Sequence, residues 1–162
     1  MFNLRRLFKP DLNTSLHVAG NLVNVAGASG IALDGYDPVA FFTEKKPAHG
    51  DPAISATYKG ATYLFASKDH KTRFEANPEM YTPQYGGYCA FGVSQNGLAP
   101  VDINTWQIRD GKLYLNLNPT ILDLFNKDFG ACVAKAEKNW PDLVQKHAKA
   151  EVTTGHEEKR AA

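Results

Sequence analysis

Two stretches of the chain alternate between apolar and polar residues, and each is interrupted by a short turn. The first covers residues 54–65 around Lys59-Gly60, and the second covers residues 105–116 around Asp110-Gly111. A two-residue turn that contains glycine, between alternating runs, is a strong signal for an antiparallel hairpin. The pattern therefore predicts two β-hairpins, with one aromatic face of the first hairpin buried.

Other segments space their apolar residues as helices do. Ser67 is the expected N-cap of a helix over residues 68–76, and Asn77-Pro78 stops that helix. Shorter helical turns are predicted over residues 39–42 and 78–81. Phe74 is the expected core anchor of the longer helix.

The C-terminal third of the chain predicts a pair of helices. Asn118-Pro119 opens the first helix, because asparagine caps well and proline suits the first helical position. Its expected apolar stripe consists of Ile121, Leu122, Leu124 and Phe125. The second helix covers residues 129–147, and Pro141 is expected to kink or restart it because proline lacks an amide hydrogen.

These elements predict an α+β fold, with small antiparallel sheets and hairpins packed with several short helices and a C-terminal helix pair. Residues 1–30 form an N-terminal arm with a candidate edge strand over 22–25. Residues 31–149 form the domain, and residues 150–162 form a polar tail that is either a frayed helix end or disordered.

Composition narrows the classes of partner. A chain of 162 residues that is 43% hydrophobic can bury the core of one domain. Its 18 basic and 17 acidic residues nearly cancel, which argues against a nucleic-acid partner. No apolar run is long enough to span a membrane. A metal ion or a small ligand remains as the expected partner, and the oligomeric state is left open.

The N-terminus has two interpretations. Arg5-Arg6 and the small residues at 26–28 resemble parts of an export signal, but polar residues interrupt the segment between them. The alternative is an ordinary arm that contains a strand. Because the resemblance to an export signal is weak, the sequence favours a cytoplasmic location.

Cys89 is the sharpest candidate for chemistry, because it follows Gly86-Gly87 in a segment rich in tyrosine. A thiolate binds copper or zinc and can also react, whereas a buried thiol is an inert apolar group. Cys89 and His70 together would form a soft-metal site with two or three ligands. The alternative for His70 is an exposed histidine on a helix without a functional role. A pairing of Cys89 with Cys132 is left open.

Aromatic residues offer a second kind of site. The segment with Tyr81, Tyr85, Gly86, Gly87 and Tyr88 either lines a pocket for a small ligand or packs in the core. A turn that contains Tyr36 and Asp37 is included among the candidate ligand-binding residues. Asp37 is either a functional carboxylate or a turn residue that hydrogen-bonds its own backbone.

Several motifs together resemble the YHS-domain family. They are Gly35-Tyr36-Asp37-Pro38-Val39-Ala40-Phe41-Phe42, residues 58–67 and residues 74–81, and residues 84–90 and 110–116 resemble its longer bacterial branch. The resemblance implies a compact α+β domain. It associates the short branch with heavy-metal handling and the longer branch with mostly uncharacterised, frequently exported proteins.

The chain departs from the short branch at the residues that would bind a metal. Where the short branch has cysteines, this chain has Ala40, Ala66 and His70. Metal handling without catalysis, with copper preferred to zinc, is the leading functional prediction. The alternatives are a module that binds a small molecule or a protein in a tyrosine-lined pocket, and an enzyme or redox protein that uses Cys89.

Overall fold

The computed structural model describes residues 15–18, 21–26 and 29–161. The strands are β1 (Ser15–Val18), β2 (Asn21–Ala26), β3 (Ile31–Ala32), β4 (Asp51–Tyr58), β5 (Ala61–Phe65), β6 (Trp106–Arg109) and β7 (Lys112–Leu115). The helices are α1 (Ala40–Thr43), α2 (Lys68–Ala76), α3 (Pro78–Tyr81), α4 (Ala90–Ser94), α5 (Pro119–Lys127) and α6 (Phe129–Ala161). These elements confirm the predicted α+β class.

The larger sheet has the strand order β1-β2-β3-β5-β4, and β6 and β7 form a separate antiparallel hairpin. The larger sheet is mixed, because β3 and β5 pair in parallel with Ile31 opposite Thr62. The predicted strand over 22–25 exists within β2, but it is not an edge strand. β1 pairs along its outer side, with Leu16 opposite Val23.

Both predicted hairpins are confirmed, and their turns have the backbone geometry that the sequence requires. Lys59 and Gly60 have φ angles of 49° and 83°, and Asp110 and Gly111 have φ angles of 53° and 74°. Two consecutive positive φ angles are the signature of a type I′ turn, which matches the twist of the flanking strands.

The predicted helix starts at residues 68 and 119 are also confirmed. The Ser67 hydroxyl accepts a hydrogen bond from the His70 backbone N–H at 3.2 Å, and the Asn118 side chain accepts one from the Ile121 N–H at 2.9 Å. In α5 the predicted stripe is partly wrong. Ile121 and Phe125 are buried one turn apart and Leu122 is half-buried, whereas Leu124 is 40% exposed.

Helix α6 continues through Pro141 without restarting. It extends to Ala161, so the segment after residue 150 is helical, which agrees with one of its two predicted alternatives. The Trp140 ring packs against the rings of Tyr85 and Tyr88, and Leu143 is buried, so tertiary packing on both sides of Pro141 offsets the hydrogen bond that proline removes. In the part of the chain that the structure describes, no helix combines the length and the apolar character needed to cross a membrane.

Apolar side chains form two clusters. The α6 cluster contains Leu22, Tyr85, Tyr88, Cys89, Phe91, Phe125, Ala136 and Leu143 among its buried members. The sheet cluster contains Val23, Val25, Leu33, Phe41, Tyr63, Phe65, Phe74, Tyr81 and Leu113 among its buried members. Val101 packs against both clusters. Strand β2 also contributes to both, because its alternating side chains point to opposite faces.

Candidate functional site

A buried carboxylate joins three elements of the fold. Asp37 is 0% exposed, and its Oδ1 accepts hydrogen bonds from the backbone N–H groups of Val39 at 2.8 Å and Ala40 at 3.4 Å. Its Oδ2 accepts one from the Ala66 N–H at 2.8 Å and lies 2.6 Å from His70 Nδ1. The carboxylate therefore caps α1 and ties it to the end of β5 and to α2. Asp37 does bond its own turn, as the sequence suggested, and it also reaches two distant segments.

His70 is held on both sides of its ring. It is 8% exposed, so it is not the exposed helical residue that was one interpretation of the sequence. Because a carboxylate only accepts, Nδ1 carries the hydrogen toward Asp37. Its Nε2 lies 3.3 Å from Thr43 Oγ1, and the same oxygen lies 3.3 Å from the Val39 carbonyl, so the single hydroxyl hydrogen can be donated to either one of them but not to both. A carboxylate, an imidazole and a hydroxyl thus form one connected chain.

The three positions at which the resemblance to the short YHS branch implies cysteines converge at this carboxylate. The backbone N–H groups of Ala40 and Ala66 and the side chain of His70 all contact Asp37. The alanine side chains supply no ligand atoms, so one imidazole remains. Within the described ranges, no three His, Cys, Asp or Glu side chains are grouped to hold an ion. The residues present do not fit a soft-metal site with three or four protein ligands.

Cys89 lies apart from His70, in the α6 cluster. It is 0% exposed, and its Sγ donates to Asn116 Oδ1 at 3.4 Å, whereas the His70 side chain contacts Asp37 and Thr43. Burial raises the pKa of the Cys89 thiol, and the nearby backbone N–H groups of α4 and of Leu117 oppose that shift less strongly. Cys132 is also a buried free thiol, with its pKa raised mainly by burial. This environment favours the protonated, inert form of Cys89.

A cleft of about 410 Å³ opens beside β2. It is lined by β2, by the end of β3 and the turn after it, by Tyr63 of β5, by the glycine turn after Pro83, and by the loop before β6. The lining residues are Val23, Asn24, Val25, Ala26, Ala32, Leu33, Asp34, Tyr36, Tyr63, Pro83, Gly86, Gly87, Pro100, Val101, Asp102 and Ile103. We call it the main cleft. A smaller cleft of about 190 Å³ shares Val23, Tyr63, Pro83 and Gly86 with it and is also bordered by Tyr85 and Trp140.

Two walls of the main cleft contain backbone in an uncommon conformation. Residues 33–35 have φ angles of 56°, 51° and 83°, and residues 85–87 have φ angles of 55°, 61° and 81°. A left-handed conformation costs about 1–2 kcal/mol for a residue other than glycine, so Leu33, Asp34 and Tyr85 are held there by the surrounding packing. The Asn24 side chain fastens one of these walls to β2, because its Nδ2 donates to the Gly87 carbonyl at 3.3 Å.

Tyr63 is the buried polar residue that borders both clefts. It is 3% exposed, and its ring packs against Phe74 with centroids 5.0 Å apart. Its hydroxyl makes no hydrogen bond with any residue that the structure describes, and the oxygen is not fully enclosed by protein. Burial is the first cause that raises the pKa of Tyr63, and nearby Tyr58 adds to it, so the hydroxyl stays neutral and can both donate and accept.

The predicted ligand-binding residues are divided among several places. Tyr36, Gly86 and Gly87 border the main cleft, and Tyr85 and Gly86 border the smaller one. Tyr81 and Tyr88 are buried in different clusters, the first in the sheet cluster and the second in the α6 cluster. Asp37 is enclosed at its three-element junction.

Sequence reasoning missed most of the main-cleft lining, including Asp34, Tyr63 and Asp102. Tyr63 lies on the aromatic face of the first hairpin, which is buried as predicted. Nothing in its local pattern shows that its hydroxyl is left without a partner. The two aspartates are far apart in sequence, so only the fold shows that they line one cleft.

The fold and site together define an α+β domain with a buried aspartate–histidine junction beside a ligand-sized cleft. Residues 42–85 match the family model of the YHS domain, from α1 to the glycine turn. This segment of the chain is therefore similar to a YHS domain. Neither the curated proteins nor the solved structures contain a significant match.

Proposed function

We propose that this protein is a non-enzymatic module that binds a small molecule in the main cleft. The observation that carries the proposal is a cleft of about 410 Å³ bordered by a buried tyrosine whose hydroxyl has no partner among the described residues. Small-molecule sites are concave, mainly apolar, and about 300–1,000 Å³ in volume, with a few polar groups that orient the ligand. Val23, Val25 and Ile103 supply apolar lining, and Tyr63 supplies one such polar group.

The cleft is bordered by segments that hydrogen bonds hold in place. The Asn24–Gly87 hydrogen bond holds β2 to the glycine turn, and the turn before Tyr36 is tied back by the Gly50 N–H, which donates to the Gly35 carbonyl at 2.8 Å. A site with its shape fixed before binding loses less conformational entropy when a ligand enters. The geometry therefore supports binding more directly than catalysis.

The proposal predicts that small fragments bind the cleft and that a bulky residue at its edge blocks them. We expect an aromatic fragment set, containing neutral, cationic and anionic members, to shift the backbone amide NMR signals of Val25 and Gly87. Ala26 is exposed and lines the cleft, so Ala26→Trp should abolish these shifts.

Ala53→Trp is the matched control, because Ala53 is an exposed residue of β4 that does not line the cleft. It should leave the fragment-induced shifts intact. If no fragment shifts the cleft amides, or if both tryptophan variants behave alike, the proposed binding function is wrong.

Metal handling, with copper as the first metal and zinc as the second, is the other candidate function. One observation favours it: the Asp37 carboxylate holds His70 Nδ1 at 2.6 Å, which is how histidine ligands of metals are commonly oriented. The shortage of further ligand atoms around His70 weighs against it, and so does the burial of Cys89.

Anaerobic titration of the reduced protein with Cu(I), and separately with Zn(II), against a competing chelator tests this candidate. If His70 and Cys89 hold the metal, we expect one-to-one binding that is lost in both His70→Ala and Cys89→Ser. Each variant must first show the circular-dichroism spectrum of the folded protein. Binding that neither substitution weakens would remove metal handling at these residues from consideration.

A further inference from the structure

The charge of the main cleft indicates what kind of molecule enters it. Among the residues that the structure describes, its lining includes the carboxylates of Asp34 and Asp102 and no lysine, arginine or histidine. We propose, on the basis of the binding function above, that the ligand is a small organic cation, an ammonium compound with an apolar body. The net charge of the whole chain is only +1, so the negative lining is a local property of the cleft.

The two carboxylates differ in exposure and in the hydrogen bonds that they already make. Asp34 is exposed, and its side chain has no hydrogen bond or ion pair with any described residue. Asp102 is half-buried and accepts hydrogen bonds from the Asn104 N–H at 2.9 Å and the Thr105 hydroxyl at 3.3 Å. Neither of those partners carries a charge, so the negative charge of Asp102 is not neutralised by them.

The rest of the lining suits an organic ammonium ion better than an inorganic one. Metal cations such as Ca²⁺ need about six oxygen ligands, whereas much of this lining is aliphatic, including Val25, Leu33 and Val101. The Tyr63 hydroxyl can accept a hydrogen bond from an ammonium N–H. Tyrosine rings also attract cations through their negative faces, and Tyr36 and Tyr63 both border the cleft.

Three probes with a similar phenyl skeleton and different charge test the inference by NMR titration: 2-phenylethylammonium, 2-phenylethanol and 3-phenylpropionate. We expect the cation to shift the Val25 and Gly87 amides with an affinity at least about tenfold higher than the neutral alcohol, and the anion not to bind. Added NaCl should lower the affinity of the cation for the cleft, because salt screens exposed charges.

Asp34→Asn and Asp102→Asn should each lower the affinity for the cation by about threefold to fivefold, the range for a partly exposed charge pair. Neither substitution should change the affinity for the alcohol. Asp110→Asn makes the same change of charge in a turn that does not line the cleft, so it should have no effect. Equal affinity for the alcohol or the anion overturns the cation inference while the binding function stands. If no probe and no fragment of the wider set shifts the cleft amides, the binding function itself fails.

Discussion

Replacing Asp37 with alanine is expected to lower the free energy of unfolding by about 3–5 kcal/mol. The substitution leaves three backbone N–H groups, those of Val39, Ala40 and Ala66, and the His70 ring without their acceptor. Each buried donor that loses its partner costs about 1–3 kcal/mol. Urea denaturation followed by circular dichroism measures the loss.

Two further substitutions show whether the loss comes from the hydrogen bonds. Asp37→Asn keeps the size of the side chain and one acceptor, but its NH₂ group would face the Ala66 N–H, so we expect a loss smaller than that of alanine but still above 1 kcal/mol. Asp69→Ala removes an exposed carboxylate that pairs with Arg73 at 2.8 Å, and should cost less than about 1 kcal/mol. A loss in Asp37→Ala no larger than that in Asp69→Ala would show that the junction does not stabilise the fold.

A double-mutant cycle isolates the Asp37–His70 pair. His70→Ala removes the same hydrogen bond from the other side, so the losses of the two single variants should exceed the loss of the double variant by about 1–3 kcal/mol. Additive losses would mean that the pair itself contributes little. The result also bears on the resemblance to the short branch, because His70 stands where that branch is expected to have a cysteine and is hydrogen-bonded to Asp37 in this chain.

The sequence predicted local structure well at positions where local chemistry decides the backbone. Asp110-Gly111 predicted a hairpin turn and Ser67 predicted a helix start, because each depends on neighbours within a few residues. The family motifs likewise predicted the α+β class. The errors lie where tertiary packing decides the outcome. β2 is an interior strand because β1 covers it, and α6 passes Pro141 because Trp140 and Leu143 are anchored in the core.

The candidate site was harder to predict, for the same reason. Asp37 and His70 are 33 residues apart, and the hydroxyl of Tyr63 lies within a strand whose pattern indicates only a buried face. A buried face does not show which of its polar atoms lack a partner. Gly86-Gly87 was the exception, because two adjacent glycines in an aromatic segment indicate that another part of the chain comes close.

Replacing Gly86 with alanine is expected to destabilise the fold by about 3 kcal/mol or more. Gly86 has a φ angle of 61°, and a Cβ at this position would overlap the Leu22 carbonyl of β2 and lie 3.2 Å from Trp140 Cη2. The left-handed backbone costs an alanine about 1–2 kcal/mol, and overpacking costs a further 1–3 kcal/mol. Because the carbonyl belongs to a paired strand, it cannot move aside without breaking the contact between β2 and the glycine turn. Thermal and urea denaturation measure the effect.

Gly111→Ala separates the two contributions. Gly111 has a φ angle of 74°, but a Cβ there would meet nothing within 4 Å, so this variant pays only for the backbone conformation, about 1 kcal/mol. The difference between the two variants therefore measures the close approach of β2 to Gly86. Equal losses would show that β2 does not lie against the glycine turn. The description of the wall that the two clefts share would then be incorrect. A large difference would support that wall independently of any ligand, because it depends on the packing of the free protein alone.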